Sequence, residues 1–265
     1  MRRGLREWNR ALGATLVLGV GALTAVALML WPSSKADTPA SDLPASPDPA
    51  LAIREPEPLK GNRHLAAWAP VRRATNARSA PNVRAARVAR VDARTPEGTT
   101  NLVSVLGRKR DARGEVWVRA RLPVLPNGTT GWLPRRALGG YELVRTRLVV
   151  DLRRLKATLF RDGRRVFRAA VGVGLAQSPT PRGQFYVRNK LVRYRSPFYG
   201  PIAFGTSARS DVLTDWPDGG FVGIHGTNSP QSLPGRVSHG CIRMRNKDIL
   251  RLGRLMPVGT PLTIQ

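Results

Sequence analysis

Cysteine, aromatic and acidic residues are scarce in this chain. A single cysteine among 265 residues excludes an intramolecular disulfide framework and any zinc site built from four cysteines. Aromatic residues make up 6%, which argues against a large stacking surface for single-stranded nucleic acid. Asp and Glu total 17 against 44 Lys and Arg, which leaves a net charge of +27. The hydrophobic fraction of 42% is enough for a packed core, so the chain is not disordered as a whole.

The excess of positive charge indicates three classes of partner: nucleic acid, an anionic membrane and an anionic wall polymer. The arginines are spread along the chain instead of forming one basic arm, so part of the excess also fits arginine as an ordinary surface residue. The charge alone does not indicate which class of partner is correct. The cellular compartment of the protein is needed to distinguish them.

The N-terminal sequence predicts that compartment. Residues 1–10 are basic, and residues 11–31 form an uncharged run, ALGATLVLGVGALTAVALMLW. At ~1.5 Å per residue, this run spans ~31 Å as a helix, about the thickness of a bilayer core. Basic residues before the run place the N-terminus in the cytoplasm, so we expect a single-pass anchor with the rest of the chain outside. The alternative is a cleaved signal peptide ending near Ala36. Export in either form argues against nucleic acid as a partner.

Residues 32–60 contain seven prolines among Ser, Ala and Asp. Such a composition cannot build a helix or an interior strand, so we expect an extended linker that gives the following domains reach.

Residues 64–140 predict a small β domain. Strand patterns cover residues 102–106 and 115–120, and a turn signal at residues 126–128 precedes a further extended piece. The run from Val116 to Leu133, VWVRARLPVLPNGTTGWL, resembles the end of bacterial SH3-like domains, which implies a small β-barrel. An irregular β extension packed on the next domain is the alternative.

Residues 141–265 predict a mainly β domain. Strand patterns occur at residues 148–152 and 184–187, and residues 157–167 read as a hairpin with Asp-Gly in its turn. One helix is predicted at residues 246–255, with Asn246 as its N-cap. Residues 194–218, rich in Pro, Gly and aromatics, are expected to form either a lid over a site or a structural loop.

Chemically useful residues concentrate between positions 225 and 246. Two of the three histidines, His225 and His239, fall here together with the only cysteine, Cys241. A thiol with pKa ~8.5 is mostly protonated at neutral pH, and an imidazole within hydrogen-bond reach can take its proton and later return it to a leaving amine. Gly240 allows close backbone approach and leaves N–H groups available for an oxyanion. If these residues lie on a strand, His239 and Cys241 share a face.

Two alternatives use the same residues. One is a buried structural cysteine with incidental histidines. The other is a zinc site formed by His225, His239 and Cys241, although no common zinc spacing matches and no carboxylate is near in sequence.

The region resembles the YkuD-type L,D-transpeptidases over about residues 143–265. The resemblance rests on His225-Gly226, on the run Ser238-His239-Gly240-Cys241-Ile242-Arg243, and on Asn246 shortly after it. The turn and strand TPRGQF at residues 180–185 also match the family pattern. No motif position departs from that pattern.

The resemblance implies a β-sandwich catalytic fold and an exported enzyme acting on peptidoglycan stem peptides, with no cofactor and no metal. It implies Cys241 as nucleophile and His225 as general base, with the Gly226 carbonyl orienting the imidazole. His239 and Gly240 complete the expected catalytic set, His239 through local polarisation or a structural role and not through obligatory proton transfer.

The expected substrate-binding residues are those that shape the site or read the donor. Arg243 is expected to pair with a substrate carboxylate, a task its planar donor fork suits. The other three are Ser238, Gly226 and Asn246.

The expected reaction is a ping-pong acyl transfer that releases D-alanine from a tetrapeptide donor and forms a 3→3 cross-link. Water as acceptor gives a carboxypeptidase instead, and a protein amine gives attachment of that protein to the wall. A non-catalytic wall-binding protein, which uses the SH3-like region and its charge, is the most distant alternative. Expected partners are stem peptides, the membrane and anionic wall polymers.

Overall fold

The computed structural model describes residues 64–192, 196–213 and 220–265. The predicted cytoplasmic tail, membrane anchor and proline-rich linker lie outside these ranges. Within them, no helix is both long enough and apolar enough to cross a bilayer.

The first part of the chain forms a seven-stranded sheet with the order β3-β2-β6-β5-β4-β1-β7. Its strands are β1 (Ala66–Pro70), β2 (Thr75–Arg78), β3 (Arg87–Val91), β4 (Leu102–Arg110), β5 (Val116–Arg121), β6 (Thr130–Pro134) and β7 (Glu142–Val144). All of the pairings are antiparallel. The strands predicted at residues 102–106 and 115–120 are present as β4 and β5.

This sheet has its own hydrophobic core, which includes Ala69, Val103, Val118 and Leu133. The SH3-like interpretation of this sheet stays a prediction. Because β7 pairs with β1, the sheet extends to Val144, beyond the boundary predicted at residue 140.

The second part forms ten paired strands with the order β10-β9-β8-β17-β12-β13-β14-β16-β11-β15. They are β8 (Thr146–Asp151), β9 (Lys156–Arg161), β10 (Arg164–Ala170), β11 (Gly172–Gly174), β12 (Gly183–Val192), β13 (Ile202–Arg209), β14 (Phe221–His225), β15 (Gly235–Ser238), β16 (Ile242–Arg243) and β17 (Pro261–Ile264). Strand β12 joins β10-β9-β8-β17 to the strands from β13 onward, since its first residues pair with β17 and its later residues pair with β13. The mainly β character is confirmed.

The predicted hairpin is β9–β10, and its turn residues Asp162 and Gly163 both have positive φ, at 50° and 77°. This is the backbone geometry for which Asp-Gly is selected in two-residue hairpin turns.

Helix α1 spans Asn246–Leu255, as predicted. It buries Ile249 and Leu252 in the core that the ten strands share. The predicted N-cap is wrong, however: Arg245 is the cap residue, and no side chain caps the helix. The side-chain oxygen of Asn246 is engaged elsewhere, by the backbone N–H of Thr227.

The segment predicted as a lid or irregular loop, residues 194–218, contains strand β13 at its centre. Six of the eight residues of Ile202–Arg209 are buried, because β13 lies between β12 and β14 and packs on both faces. Flanking prolines and glycines obscured this strand in the sequence. Residues 194–195 and 214–218 of that prediction lie outside the described residues.

Candidate active site

Two neighbouring parallel strands build the site. Strand β14 pairs with β16, with Ile224 opposite Ile242 and His225 opposite Arg243. Residue Cys241 directly precedes β16, so this register places it beside Gly223 on β14. The two residues that the sequence paired, His225 and Cys241, are therefore brought together by a parallel pairing between strands that are distant in the chain.

Cys241 is partly exposed, and its sulfur accepts a hydrogen bond from the backbone N–H of Gly223 at 3.3 Å. A methyl group built on Gly223 would lie 3.7 Å from Sγ of Cys241 and 3.8 Å from Cδ2 of His225, so both side chains border the same point. Burial raises the pKa of the Cys241 thiol, while the Gly223 N–H and the positive charge of Arg243 oppose that rise. The resting side chain is a neutral thiol at physiological pH.

His225 is buried, with 1% of its surface exposed. Its Nδ1 lies 2.6 Å from the carbonyl oxygen of Gly226. A carbonyl oxygen can only accept, so the proton sits on Nδ1 and Nε2 keeps its lone pair. Nε2 is buried and has no hydrogen-bond partner among the described residues. The orientation of the imidazole by Gly226, expected from the sequence, is present.

Burial also determines the charge state of His225. It lowers the pKa of the imidazole to about 4; the hydrogen bond to Gly226 opposes this effect, and the nearby charge of Arg243 adds to it. The imidazole is therefore neutral at physiological pH. The thiol and the imidazole are both neutral and both border Gly223, and an imidazole with an unprotonated Nε2 is the form that can take a thiol proton as the sulfur attacks a carbonyl.

Asn246 holds the loop that follows His225. Its Oδ1 accepts the backbone N–H of Thr227 at 3.0 Å. A side chain at Gly226 or Gly200 would clash with the same oxygen atom, so both glycines allow Asn246 to approach the backbone closely. Asn246 acts here on the position of Gly226, which in turn orients the imidazole.

The turn before Cys241 is fastened by two hydroxyl groups. Oγ of Ser238 donates to the Cys241 carbonyl at 2.6 Å and accepts the N–H of Gly240 at 3.2 Å. Oγ1 of Thr180 donates to the Gly240 carbonyl at 2.8 Å and accepts the N–H of Gly174 at 2.9 Å. Ser238 is fully buried and shapes the turn. Its direct contact with substrate stays a prediction.

His239 does not share a strand face with Cys241. Residues 239–241 lie between β15 and β16, and Gly240 has φ +113°, so the alternation of a strand is interrupted there. The side chain of His239 is exposed, whereas that of His225 is buried. In the described part of the chain, no three residues among His, Cys, Asp and Glu are close enough to hold a metal ion, so the alternative zinc set does not converge.

An aromatic pair covers the histidine. Tyr199 meets the His225 ring edge-on with centroids 4.7 Å apart, and Phe198 lies 6.1 Å away. The guanidinium of Arg243 stacks 4.5 Å above the Phe198 ring. Nε of Arg243 is buried and has no hydrogen-bond partner among the described residues. The site therefore combines a desolvated base with a partly buried cation beside the sulfur.

Sequence reasoning missed three contributors. Gly223 gave no signal, because its role depends on a parallel register that local patterns do not contain. Thr180 lay inside a recognised turn motif, and its reach to Gly240 requires the folded structure. Tyr199 stood in the segment assigned to a lid, and only its aromatic character marked it.

The second part of the chain is similar to known proteins. Residues 145–264 match the family model described as YkuD, the L,D-transpeptidase catalytic domain. YkuD of Bacillus licheniformis is 35% identical over 118 residues, which cover 44% of this chain and 64% of that protein. YkuD of Bacillus subtilis is 38% identical over 94 residues, which cover 36% of this chain and 50% of that protein. This chain thus spans only part of the length of these relatives.

Among solved structures, the catalytic domain of the Enterococcus faecium L,D-transpeptidase is similar with a TM-score of 0.34 and 26% identity. The match covers 45% of this chain and 96% of that domain. The match to the family model and the identity to the Bacillus proteins show that residues 145–264 of this chain are similar to the YkuD-type L,D-transpeptidase catalytic domains.

Proposed function

We propose that this chain is a peptidoglycan L,D-transpeptidase that forms 3→3 cross-links through a thioester on Cys241. The observation that carries the proposal is the pairing of a cysteine sulfur held by the Gly223 N–H with an imidazole whose Nδ1 is tied to Gly226. This arrangement leaves Nε2 of His225 as the basic atom of the site, buried and without a competing hydrogen-bond partner in the part of the chain that the structure describes.

In the proposed first half-reaction, Sγ of Cys241 attacks the carbonyl carbon at the L-centre of the third stem residue, and Nε2 of His225 takes the thiol proton. The tetrahedral intermediate then collapses. The bond to the terminal D-alanine breaks, the imidazolium returns its proton to the departing amine, and a thioester remains on the enzyme.

In the second half-reaction, the side-chain amine of a neighbouring stem attacks the thioester. His225 takes a proton from the attacking amine and gives it to the departing sulfur, which restores the thiol and releases the cross-linked product. No redox step and no external cofactor is needed to balance these two steps.

The electrostatics support proton transfer during attack instead of a preformed ion pair. Burial raises the pKa of the thiol and lowers that of the imidazole, so both groups are neutral before substrate binds. Arg243 adds a positive charge close to the sulfur, where negative charge develops as the thiol loses its proton.

We also propose that Arg243 binds the terminal carboxylate of the donor stem. Its guanidinium carbon lies 4.5 Å from the centroid of the Phe198 ring, and the partly buried position strengthens a charge-assisted hydrogen bond to a carboxylate.

The proposed location is the outer face of the cell membrane. The basic tail and the apolar run at residues 11–31 support a single-pass anchor, and the proline-rich linker supports reach toward the wall. Protease digestion of intact spheroplasts tests this: the catalytic domain is expected to be degraded without lysis, and its protection would contradict the proposed orientation.

Anionic wall polymers are proposed as a second partner. A cross-strand row on the first sheet places Arg119 and Arg78 on either side of Trp132, with Arg87 next to Arg78. Wall binding through these residues is expected to weaken as salt rises. Insensitivity of wall binding to salt would contradict this partner.

The function is tested with the purified full-length chain and a disaccharide-tetrapeptide, followed by intact-protein and product masses. We expect a thioester adduct that has lost D-alanine, and a cross-linked dimer. Cys241→Ala is expected to abolish both, and Cys241→Ser nearly so, because a serine hydroxyl needs stronger activation. Turnover retained in either variant would contradict the mechanism.

The products also separate the alternatives. A tripeptide without dimer indicates transfer to water, and a tripeptide adduct on an added protein amine indicates attachment of a protein. A folded enzyme that forms neither adduct nor product favours the wall-binding alternative.

A further inference from the structure

A buried ion pair connects the seven-stranded sheet with the catalytic domain. Nη2 of Arg188, on β12, donates to both carboxylate oxygens of Glu97 at 3.0 and 3.2 Å. The side chains are 1% and 10% exposed. Glu97 lies in the loop between β3 and β4, so it belongs to the other domain. If the Glu97 carboxylate were removed, the guanidinium of Arg188 would stay buried without this counter-charge, which would strongly destabilise the folded protein. The contact therefore requires a carboxylate at position 97.

The partner surface on β12 is shaped by an irregularity in the strand. Val187 pairs with Thr206 and Asn189 pairs with Gly205, which leaves Arg188 as an extra residue, a β-bulge. A bulge redirects side chains, and here the consecutive residues Arg188 and Asn189 both reach Glu97, Asn189 through Nδ2 at 3.1 Å.

The loop that carries Glu97 is closed by hydrogen bonds of its own. Thr95 N–H donates to the Thr99 carbonyl at 2.9 Å, and their hydroxyl oxygens lie 2.8 Å apart. The Nδ2 group of Asn189 also donates to the Thr99 hydroxyl at 3.1 Å. Glu97 therefore sits at the tip of a closed loop and is not carried on a flexible one.

A second loop of the first sheet contacts the catalytic domain close by. Asn127 donates from Nδ2 to the Arg209 carbonyl at 2.7 Å and accepts the Arg209 N–H on Oδ1 at 3.0 Å. Arg209 ends β13 and pairs with Phe221 on β14. The side chain of Asn127 thus continues the backbone ladder at the end of β13.

Both contacts converge on Phe221. The guanidinium of Arg188 lies 3.6 Å from the centroid of the Phe221 ring, and that of Arg209 lies 4.9 Å from it. Phe221 begins β14, two residues before Gly223, whose N–H binds the sulfur of Cys241. The two loops of the first sheet therefore reach, through one residue each, the start of the strand that carries the site.

We propose that residues 64–140 clamp the start of β14, with Glu97 and Asn127 as positioning residues that set the Gly223 N–H against the sulfur of Cys241. The inference rests on the proposed function only for its turnover readout. The clamp itself concerns the environment of the thiol and can be measured without any substrate.

The first test is Glu97→Gln in the full-length chain, with Glu115→Gln as the matched control. Glu115 directly precedes β5 of the first sheet and pairs with Arg136 at the exposed surface. Cys241 is the only cysteine, so the alkylation rate by iodoacetamide, followed by intact mass, reports this site alone. We expect Glu97→Gln to move the inflection of rate against pH upward, because the thiolate loses part of its N–H donor. The control is expected to leave the inflection unchanged.

Turnover gives the second readout. We expect kcat of Glu97→Gln to fall ~10-fold or more with little change in KM for the donor, since misplacement of a reacting group by about 1 Å costs up to ~10²-fold. If Glu97 has a purely structural role, Glu97→Gln lowers the thermal midpoint of unfolding. At temperatures below that midpoint, both the pH inflection of the alkylation rate and kcat then stay unchanged.

Asn127→Ala is the milder variant, and it decides the question if Glu97→Gln does not fold. Its control is Asn82→Ala, which removes an asparagine that caps a turn within the first sheet. We expect the same upward move of the alkylation inflection for Asn127→Ala and none for Asn82→Ala. A folded Asn127→Ala variant with unchanged inflection and unchanged kcat would overturn the clamp. An altered inflection in an enzyme without transpeptidation would retain the clamp and remove the proposed function.

Discussion

The carbonyl oxygen of Gly226 accepts the Nδ1 proton of His225 at 2.6 Å, and this contact determines which ring nitrogen is basic. A neighbour in the chain thus orients the imidazole, a task that a separate carboxylate or amide performs in Ser-His-Asp and Cys-His-Asn enzymes. Because the acceptor is a neutral carbonyl, it cannot offset the burial that lowers the pKa of His225. The imidazole of His225 is therefore only weakly basic, and it is unprotonated at neutral pH.

The low pKa of His225 predicts how the stability of the protein depends on pH. The imidazole titrates at about 4 in the folded protein and at 6.5 when unperturbed. Between these values the unfolded chain binds a proton that the folded chain does not, so the free energy of unfolding falls as the pH drops from ~6.5 to ~4. Above ~6.5 both states are neutral, and this dependence ends.

Chemical denaturation of the full-length chain between pH 7 and pH 4.5 checks this prediction. We expect His225→Gln to lose most of the decline in stability, since glutamine does not titrate. His239→Gln is the matched control, because it removes an exposed histidine, and it should retain the decline. An equal decline in wild type and His225→Gln would show that the histidine is not buried as a neutral group.

Loss of the Thr180 hydroxyl is expected to lower the free energy of unfolding. This buried hydroxyl bridges the Gly174 N–H and the Gly240 carbonyl. Thr180→Val keeps the shape and removes both hydrogen bonds, so we expect a loss of about 1–3 kcal/mol in the free energy of unfolding. Thr180→Ser retains the hydroxyl and should recover most of it. If denaturation gives the same stability for valine and serine, the hydroxyl bridge contributes nothing.

Substitution of Asn246 tests whether this residue caps helix α1 or positions the loop that follows His225. As an N-cap it would contribute about 1 kcal/mol to the helix, whereas the structure assigns the cap to Arg245 and engages Asn246 with Thr227. Asn246→Ala should therefore lower kcat about 10-fold, since the Gly226 carbonyl loses its support, while α1 keeps its stability. The measurement is kcat together with the thermal midpoint. Asn228→Ala, an exposed neighbour in the same loop, is the control. A lower midpoint with unchanged kcat would restore the capping role.

Patterns among residues close in sequence were sufficient to predict part of the fold. The Asp-Gly turn predicted the β9–β10 hairpin, and the spacing of apolar residues predicted α1. Both depend on contacts between residues near in sequence. Strand β13 was missed because both its pairing with β12 and β14 and its burial depend on residues that are distant in the chain. Its glycine and polar residues resemble those of a loop when read alone.

The same limit applies to the site. The residues that carry reactive groups, His225 and Cys241, were recognisable from their chemistry and from the motif. The groups that hold them act through the backbone: the Gly223 N–H and the Gly240 carbonyl carry no side-chain signature. Backbone contributions depend on register, and the parallel pairing of β14 with β16 joins segments that no local pattern connects.

Arg243 predicts a specific defect in donor recognition. Its guanidinium stacks on Phe198 and sits beside the sulfur, so a donor carboxylate bound there would be close to the reacting centre. Arg243→Lys keeps the charge but loses the planar fork and the flat stacking surface. We expect KM for a tetrapeptide donor to rise about 10-fold. The matched control is Arg245→Lys, which alters an exposed arginine two residues away and should leave KM unchanged.

A donor whose terminal carboxylate is amidated provides the second arm of the test: wild type and Arg243→Lys should then use it equally poorly. If Arg243→Lys instead shows the same KM as wild type for the free carboxylate, the donor is anchored by other groups, and the role of Arg243 is limited to its charge near the sulfur.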